Sequence, residues 1–198
     1  MIEPGRCPER LCLLEVMDRS DSIQDDLLVL QCQQGDAAGF DRLVRRWQQP
    51  LLNYAYRLTG DRAVAQDIVQ ETWLAVIRGL ITLKDVAHFR AWLYRIASHK
   101  CQDHWRRKRT RQGFAEELQK QPRPEDGAPT KAERADIDAA FRCLPPESRT
   151  VLALMYLEDF SIGEIAGLLS LPEGTVKSRL FHARQQLRQL LEKNYGPL

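Results

Sequence analysis

Apolar residues recur along this chain at spacings of three and four, in blocks parted by glycine, proline and acidic residues. That spacing lines one face of a helix. The sharpest block runs from Ser161 to Leu191. Ile162, Ile165, Ala166 and Leu169 make a first stripe, and Ser161 with Glu164 three residues on predicts a capping box. Ser170-Leu171-Pro172 interrupts the pattern. Pro172 and Glu173 then suit the opening of a second helix, whose stripe is Val176, Leu180, Ala183, Leu187 and Leu191. A turn of ~100° per residue puts Lys177, Ser178, Phe181, His182 and Gln185 on the opposite face. A short helix, a turn, and a second helix with an apolar back and a polar, cationic front predict a helix-turn-helix, whose front enters a major groove.

The rest of the chain carries the same period. A helix is expected to start among the acids of Asp21 to Asp25 and to end near Gln33, broken by Gly35-Asp36. From Asp36 the apolar positions are Phe40, Leu43, Val44, Trp47, Leu51, Leu52, Tyr54, Ala55 and Leu58. Pro50 among them predicts a kink or a restart. Gly60 fits a helix C-terminus and Asp61 the N-cap of the next helix, Arg62 to about Arg78. Val64, Ile68, Val69, Thr72, Val76 and Ile77 are predicted inward there, leaving Asp67, Gln70 and Glu71 on an outer strip. A loop, Gly79 to Ala87, leads into a helix with Phe89, Trp92, Leu93, Ile96 and Ala97 inward. Residues 112–131 turn proline-rich and acidic, which reads as a flexible linker. A second domain, 132–194, begins with Asp136, Ile137, Ala140, Phe141 and Leu144. Pro145-Pro146 breaks it, and Glu147 to Leu157 forms the helix before the helix-turn-helix. No alternating strand pattern occurs. The expected class is all-α: two small helical domains, 23–111 and 132–194, behind a weakly ordered tail, 1–22.

Charge changes the picture only locally. The formal net charge is +2, so nothing global argues for nucleic acid. Between Arg90 and Arg111, however, eight cations (Arg90, Arg95, Lys100, Arg106, Arg107, Lys108, Arg109, Arg111) face one acid, Asp103. Trp92, Tyr94, His99, His104 and Trp105 are interleaved, with Trp92 assigned to the core. Cations neutralise phosphates, and aromatic faces stack unpaired bases. The five cysteines, Cys7, Cys12, Cys32, Cys101 and Cys143, form no C-x-x-C pair and predict neither a disulfide framework nor a zinc site. His99, Cys101, Asp103 and His104 cluster in sequence, but on a helix His99 and Asp103 share a face while Cys101 and His104 point elsewhere, and no H-E-x-x-H or Cys pair supports a metal site, so none is expected. No apolar run is long enough to span a bilayer and no signal peptide opens the chain, so a cytoplasmic protein without membrane insertion is expected.

Two stretches resemble a known family. EIAGLLSLPEGTVKSRL is similar to the fourth-region helix-turn-helix of sigma-70 transcription initiation factors. LTGDRAVAQDIVQETWLAVIRGL, followed by FRAWLYRIASHKCQDHWRRKR, resembles the second region of the extracytoplasmic-function branch. The resemblance spans roughly Asp25 to Arg111 and Ala135 to Leu191. It implies a non-catalytic specificity subunit, without cofactor, that binds core RNA polymerase and promoter DNA. Asp67, Gln70, Glu71 and Trp73 fall where the family docks on the β′ clamp helices, and the fourth region would meet the β flap. His99, Arg95, Arg106, Arg107 and Arg109 fall on the minus-10 surface, with loop Ile81 to His88 where a flipped base is captured. Lys177, Ser178, Arg179, Phe181, His182 and Arg184 fall on the minus-35 helix. Many relatives carry Asn at the position of His99, and Arg is frequent at that of His182. An anti-sigma factor is the further partner class implied. The competing reading, a stand-alone helix-turn-helix regulator, needs a sensor or dimerisation domain that Asp25 to Arg111 does not resemble.

Overall fold

The computed structural model describes residues 23–116 and 139–195. The expected tail, most of the expected linker, Asp136, Ile137 and the side chain of Arg111 lie outside the described residues. Helix α1 covers 23–33, α2 Ala37–Thr59, α3 Arg62–Gly79 and α4 Phe89–Glu116, which continues five residues past the expected linker start at 112. Two 3₁₀ turns, Leu80–Thr82 and Val86–His88, fill the gap before α4. Helix α5 covers 139–143, α6 Pro146–Tyr156, α7 Ile162–Leu169 and α8 Glu173–Tyr195. No strand occurs among the described residues.

The helix ends follow local chemistry. Gly60 takes φ 76°, a left-handed turn that costs other residues more, and its N–H returns to the Tyr56 carbonyl at 2.8 Å. Asp61 then caps α3, accepting from Ala63 N at 2.8 Å and Val64 N at 3.1 Å. Ser161 and Glu164 form the reciprocal capping box. Pro50 is the exception. Helix α2 runs through it without restarting. Leu43 on one side and Leu51, Tyr54 and Leu58 on the other are all buried. Each buried side chain contributes about 1.5–3 kcal/mol, which offsets the roughly 3 kcal/mol cost of an interior proline.

Helices α2, α3 and α4 pack on one another, with Leu51, Leu58, Val69, Val76, Phe89 and Leu93 at the centre. Trp47 and Arg46 staple α1 to α2 through Asp25 Oδ1, at 3.0 and 2.7 Å. Helices α6, α7 and α8 enclose Val151, Leu154, Ile165, Leu169, Val176 and Leu180. These are not two isolated cores. Contacts of α2 and α4 with α6, and of α4 with α7, join them into one apolar cluster. Tyr54 and Tyr94, both fully buried, sit near that junction with rings 5.1 Å apart, edge to face. Their hydroxyls are satisfied, Tyr54 with Ser98 Oγ at 2.7 Å and Tyr94 by donation to the Glu158 carboxylate. The sequence pattern assigns neither Tyr94 nor Ser98 to the core, because their partners lie 64 and 44 residues away.

Candidate nucleic-acid and polymerase interface

Helix α8 separates its two sides cleanly. Val176, Leu180 and Ala183 are buried, while Lys177, Ser178, Phe181 and His182 are exposed. Phe181 is 56% exposed, which no packing requirement explains in so large an apolar residue. Lys177 is held loosely by Glu173 one turn back, at 3.5 Å, an exposed pair of little energetic worth. The structure sets Arg179 apart from that front, whereas Arg184 is exposed two turns along the same face as Lys177. Arg179 is part-buried on the flank and pairs with Glu147 of α6 at 3.4 Å, and the Arg184 guanidinium lies 5.9 Å from the Tyr156 ring. The exposed front near the helix N-terminus is therefore Lys177, Ser178, whose hydroxyl donates to the Thr175 carbonyl at 3.0 Å, Phe181 and His182, a set that presents one cation, one hydroxyl oxygen and two rings to a groove.

On α3, Asp67, Gln70 and Glu71 lie on the outer face. Glu71 pairs with Lys100 of α4 at 2.9 Å. Trp73 is placed otherwise: it is 8% exposed, edge-on to Phe40, and its Nε1 donates to Gln48 at 2.7 Å. Ile77, expected inward, is 52% exposed, and Leu74 beside it 47%. With Ile81 they line one flank of the strip at spacings of three and four. The sequence signal was there in principle, since α3 has more apolar residues than one buried face can take. Inward Val69, Thr72 and Val76 already fill that face.

Helix α4 brings most of its cations to solvent. Arg95, His99, Arg106, Arg107 and Arg109 are exposed, with Arg106 paired to Asp103 at 3.1 Å. The aromatics among them do other work. Tyr94 is in the core, and Trp92 closes on α3, where a Cβ at Gly79 would meet its ring at 2.8 Å. Trp105 is half-buried under two cations, Lys108 at 5.5 Å and Arg149 at 4.7 Å. Of the interleaved rings only His99 is fully open. Gly79 against Trp92 and Glu71 against Lys100 register α3 antiparallel to α4. His99 stands two turns, about 10 Å, along α4 from Trp92.

The junction between the two halves draws on this same helix. The turn after α6 places Asp159 at φ 51°, which swings Glu158 and Phe160 toward α4. Arg90 donates to the Glu158 carbonyl and lies over the Phe160 ring at 4.6 Å. Arg57 approaches the Glu158 carboxylate at 3.9 Å. Burial raises the Glu158 carboxyl above its ordinary range, against the Tyr94 hydrogen bond and the two arginines. Arg149, 4% exposed, reaches from α6 to the Leu58 carbonyl at 2.6 Å, one of the last carbonyls of α2. Burial lowers its pKa. Arg95 reaches Ser170 at 3.4 Å. No local pattern in the sequence points to this junction.

Neither a metal cluster nor a membrane-length apolar helix occurs among the described residues. Residues 43–111 match the family model for sigma-70 region 2, and residues 134–187 that for sigma-70 region 4. The chain is 32% identical to the RNA polymerase sigma-H factor of Pseudomonas aeruginosa over 182 residues, covering 85% of this chain and 94% of the relative. It is 36% identical over 169 residues to the extracytoplasmic-function sigma factor SigE of Mycolicibacterium smegmatis, covering 81% of this chain and 65% of the relative. In fold it resembles the sigma factor RpoE of Bartonella quintana, solved with the anti-sigma factor NepR. The TM-score is 0.65 at 21% identity, over 77% of this chain and 96% of that one. The chain belongs to the sigma-70 family of RNA polymerase sigma factors, in its extracytoplasmic-function branch.

Proposed function

We propose the following division of labour within this sigma factor. The front of α8, Lys177, Ser178, Phe181 and His182, with Arg184 two turns along the same face as Lys177, reads the minus-35 element as closed duplex, and Arg179 flanks it against α6. The exposed face of α4, with His99, Arg95, Arg106, Arg107 and Arg109, and the loop 80–88 engage the minus-10 element and hold a base turned out of it. The strip Asp67, Gln70 and Glu71, extended by Leu74 and Ile77, docks on the β′ clamp helices, and the α6–α8 unit meets the β flap. An acid strip beside exposed apolar residues suits a partner helix rich in arginine, with charge for steering and apolar area for affinity. Trp73 supports that strip from the core. The protein acts in the cytoplasm, is non-catalytic, and is held inactive by an anti-sigma factor, the partner class seen with the structurally similar RpoE.

The observation that carries this reading is the sidedness of α8: a back buried at Val176, Leu180 and Ala183 and an exposed cationic front inside a capped helix-turn-helix. The reading also requires the two halves to part. Elements named for positions 35 and 10 stand roughly 25 base pairs apart, about 85 Å of duplex. Helices α4 and α7 are in contact here.

Run-off transcription with reconstituted holoenzyme, on duplex templates and on templates premelted at minus-10, tests the division. Opening a duplex costs a few kcal/mol that a premelted template does not require. His99→Ala is expected to lose activity on duplex and recover on the premelted template. Lys177→Ala is expected to lose activity on both. A harmless His99→Ala on both templates would remove His99 from the minus-10 site.

A further inference from the structure

The loop between α3 and α4 is tied down by a residue that none of the assignments above uses. Gln33, the last residue of α1, donates its side-chain amide to two backbone carbonyls, Leu80 O at 3.0 Å and Leu83 O at 2.8 Å. An amide NH₂ carries two hydrogens, and both are committed to the loop. Helix α3 has ended at this point, and the 3₁₀ turn returns one bond of its own, Leu83 N to Leu80 O at 3.2 Å. The contacts cross 47 and 50 residues of sequence, so local structure cannot supply them.

The anchor itself is firm. Gln33 is half-buried, and the turn behind it is closed by Asp36 N to Gln31 O at 3.0 Å. Under the loop, Leu80 is buried, and Leu83 and Val86 pack against the core. Those three contacts fix the loop's depth. They leave its outward residues, Ile81, Thr82, Lys84 and His88, exposed. The Gln33 clamp grips the first and the following residue of the 3₁₀ turn that carries Ile81 and Thr82, so it fixes how that turn is rotated over its apolar anchors.

We propose that Gln33 is a positioning residue for minus-10 base recognition: by holding Leu80 and Leu83 it sets the register of the loop that receives the turned-out base. The inference rests on the assignment of loop 80–88 as the base-capturing loop. Selectivity among bases depends on hydrogen bonds that fail when displaced by an ångström or less, so it suffers before binding or folding does.

The test uses full-length protein in holoenzyme, with transcription measured on promoters varied one base at a time through the minus-10 element. Gln33→Met keeps the volume and removes both donors. Gln33→Glu keeps the shape and points a carboxylate at two carbonyls. Gln33→Lys restores donors. Ile81→Ala and His88→Ala probe the loop directly. Gln33→Met and Gln33→Glu are expected to narrow the preference at the captured base by roughly fivefold to tenfold, and Gln33→Lys to recover part of it. Preference at minus-35 and affinity for core should not change. If the loop variants shift minus-10 preference and Gln33→Met does not, the role of Gln33 is overturned while base capture by the loop stands. If neither shifts it, base capture by the loop falls, and Gln33 with it. A Gln33→Met protein that melts earlier and loses activity equally on every promoter has lost only a structural clamp, which also overturns the proposal.

Discussion

Arg149→Ala should loosen the junction between the two halves of the chain without unfolding either. The side chain makes two attractive contacts, the 2.6 Å hydrogen bond to Leu58 O and the stack on Trp105 at 4.7 Å. A charge-assisted hydrogen bond contributes about 1.5–3 kcal/mol and a cation–π contact roughly 0.5–2 kcal/mol. Against these stands the cost of burying a guanidinium, several kcal/mol after relaxation, seen here in its lowered pKa. Removal takes away gain and cost together and leaves the Leu58 carbonyl to find water. The net loss is expected to be about 1–2 kcal/mol, a factor of 5–30 in the ratio of closed to open chains. Arg149→Lys keeps the charge and loses the planar stack, so it should fall between the two. Fluorescent labels on Gln70→Cys and Gln185→Cys, in a background without native cysteines, would report the distance between halves. A longer mean distance is expected for Arg149→Ala, with far-ultraviolet circular dichroism unchanged. Identical distance distributions for wild type and Arg149→Ala would show that Arg149 does not hold the halves together.

Other perturbations probe other parts of the molecule. Glu71→Lys should weaken binding to core polymerase, measured by titration, by reversing charge on the α3 strip and breaking the 2.9 Å pair with Lys100; unchanged affinity would remove Glu71 from the docking surface. Gly79→Ala should lower stability by about 1–3 kcal/mol in chemical denaturation, because the new Cβ meets the Trp92 ring at 2.8 Å. Burial pushes the Cys101 thiol up to about 12, while Cys143 is exposed. Iodoacetamide at pH 8 should therefore modify Cys143 in the native protein and Cys101 only after unfolding, as peptide mass spectrometry would show.

What could be read in the sequence was whatever a few neighbouring residues decide. The Ser161–Glu164 box, the Gly60–Asp61 boundary and the two faces of α8 depend on contacts within one or two turns. All three appear in the structure as expected. Pro50 does not restart the helix, because α2 is held to the core on both sides of it. Ile77 fails because periodicity says which residues could face inward and not how much room the core has. The junction lay beyond the sequence for a different reason. Arg149, Glu158 and Tyr94 each look ordinary locally, and they acquire their roles from partners 64 to 91 residues away. Gln33 is the same case.

As a sigma factor, this chain gives core RNA polymerase its choice of promoter through both halves. Purified core polymerase, supplied with the full-length protein and a promoter library, tests it most directly by sequencing of the run-off transcripts. Defined start sites should appear only when the protein is present. Base preference should fall in two blocks, near minus-10 and minus-35, with Lys177→Ala weakening only the second. Transcripts that start at the same places with and without the protein, while the protein alone still binds duplex DNA at specific sites, would contradict it and leave a stand-alone regulator in its place.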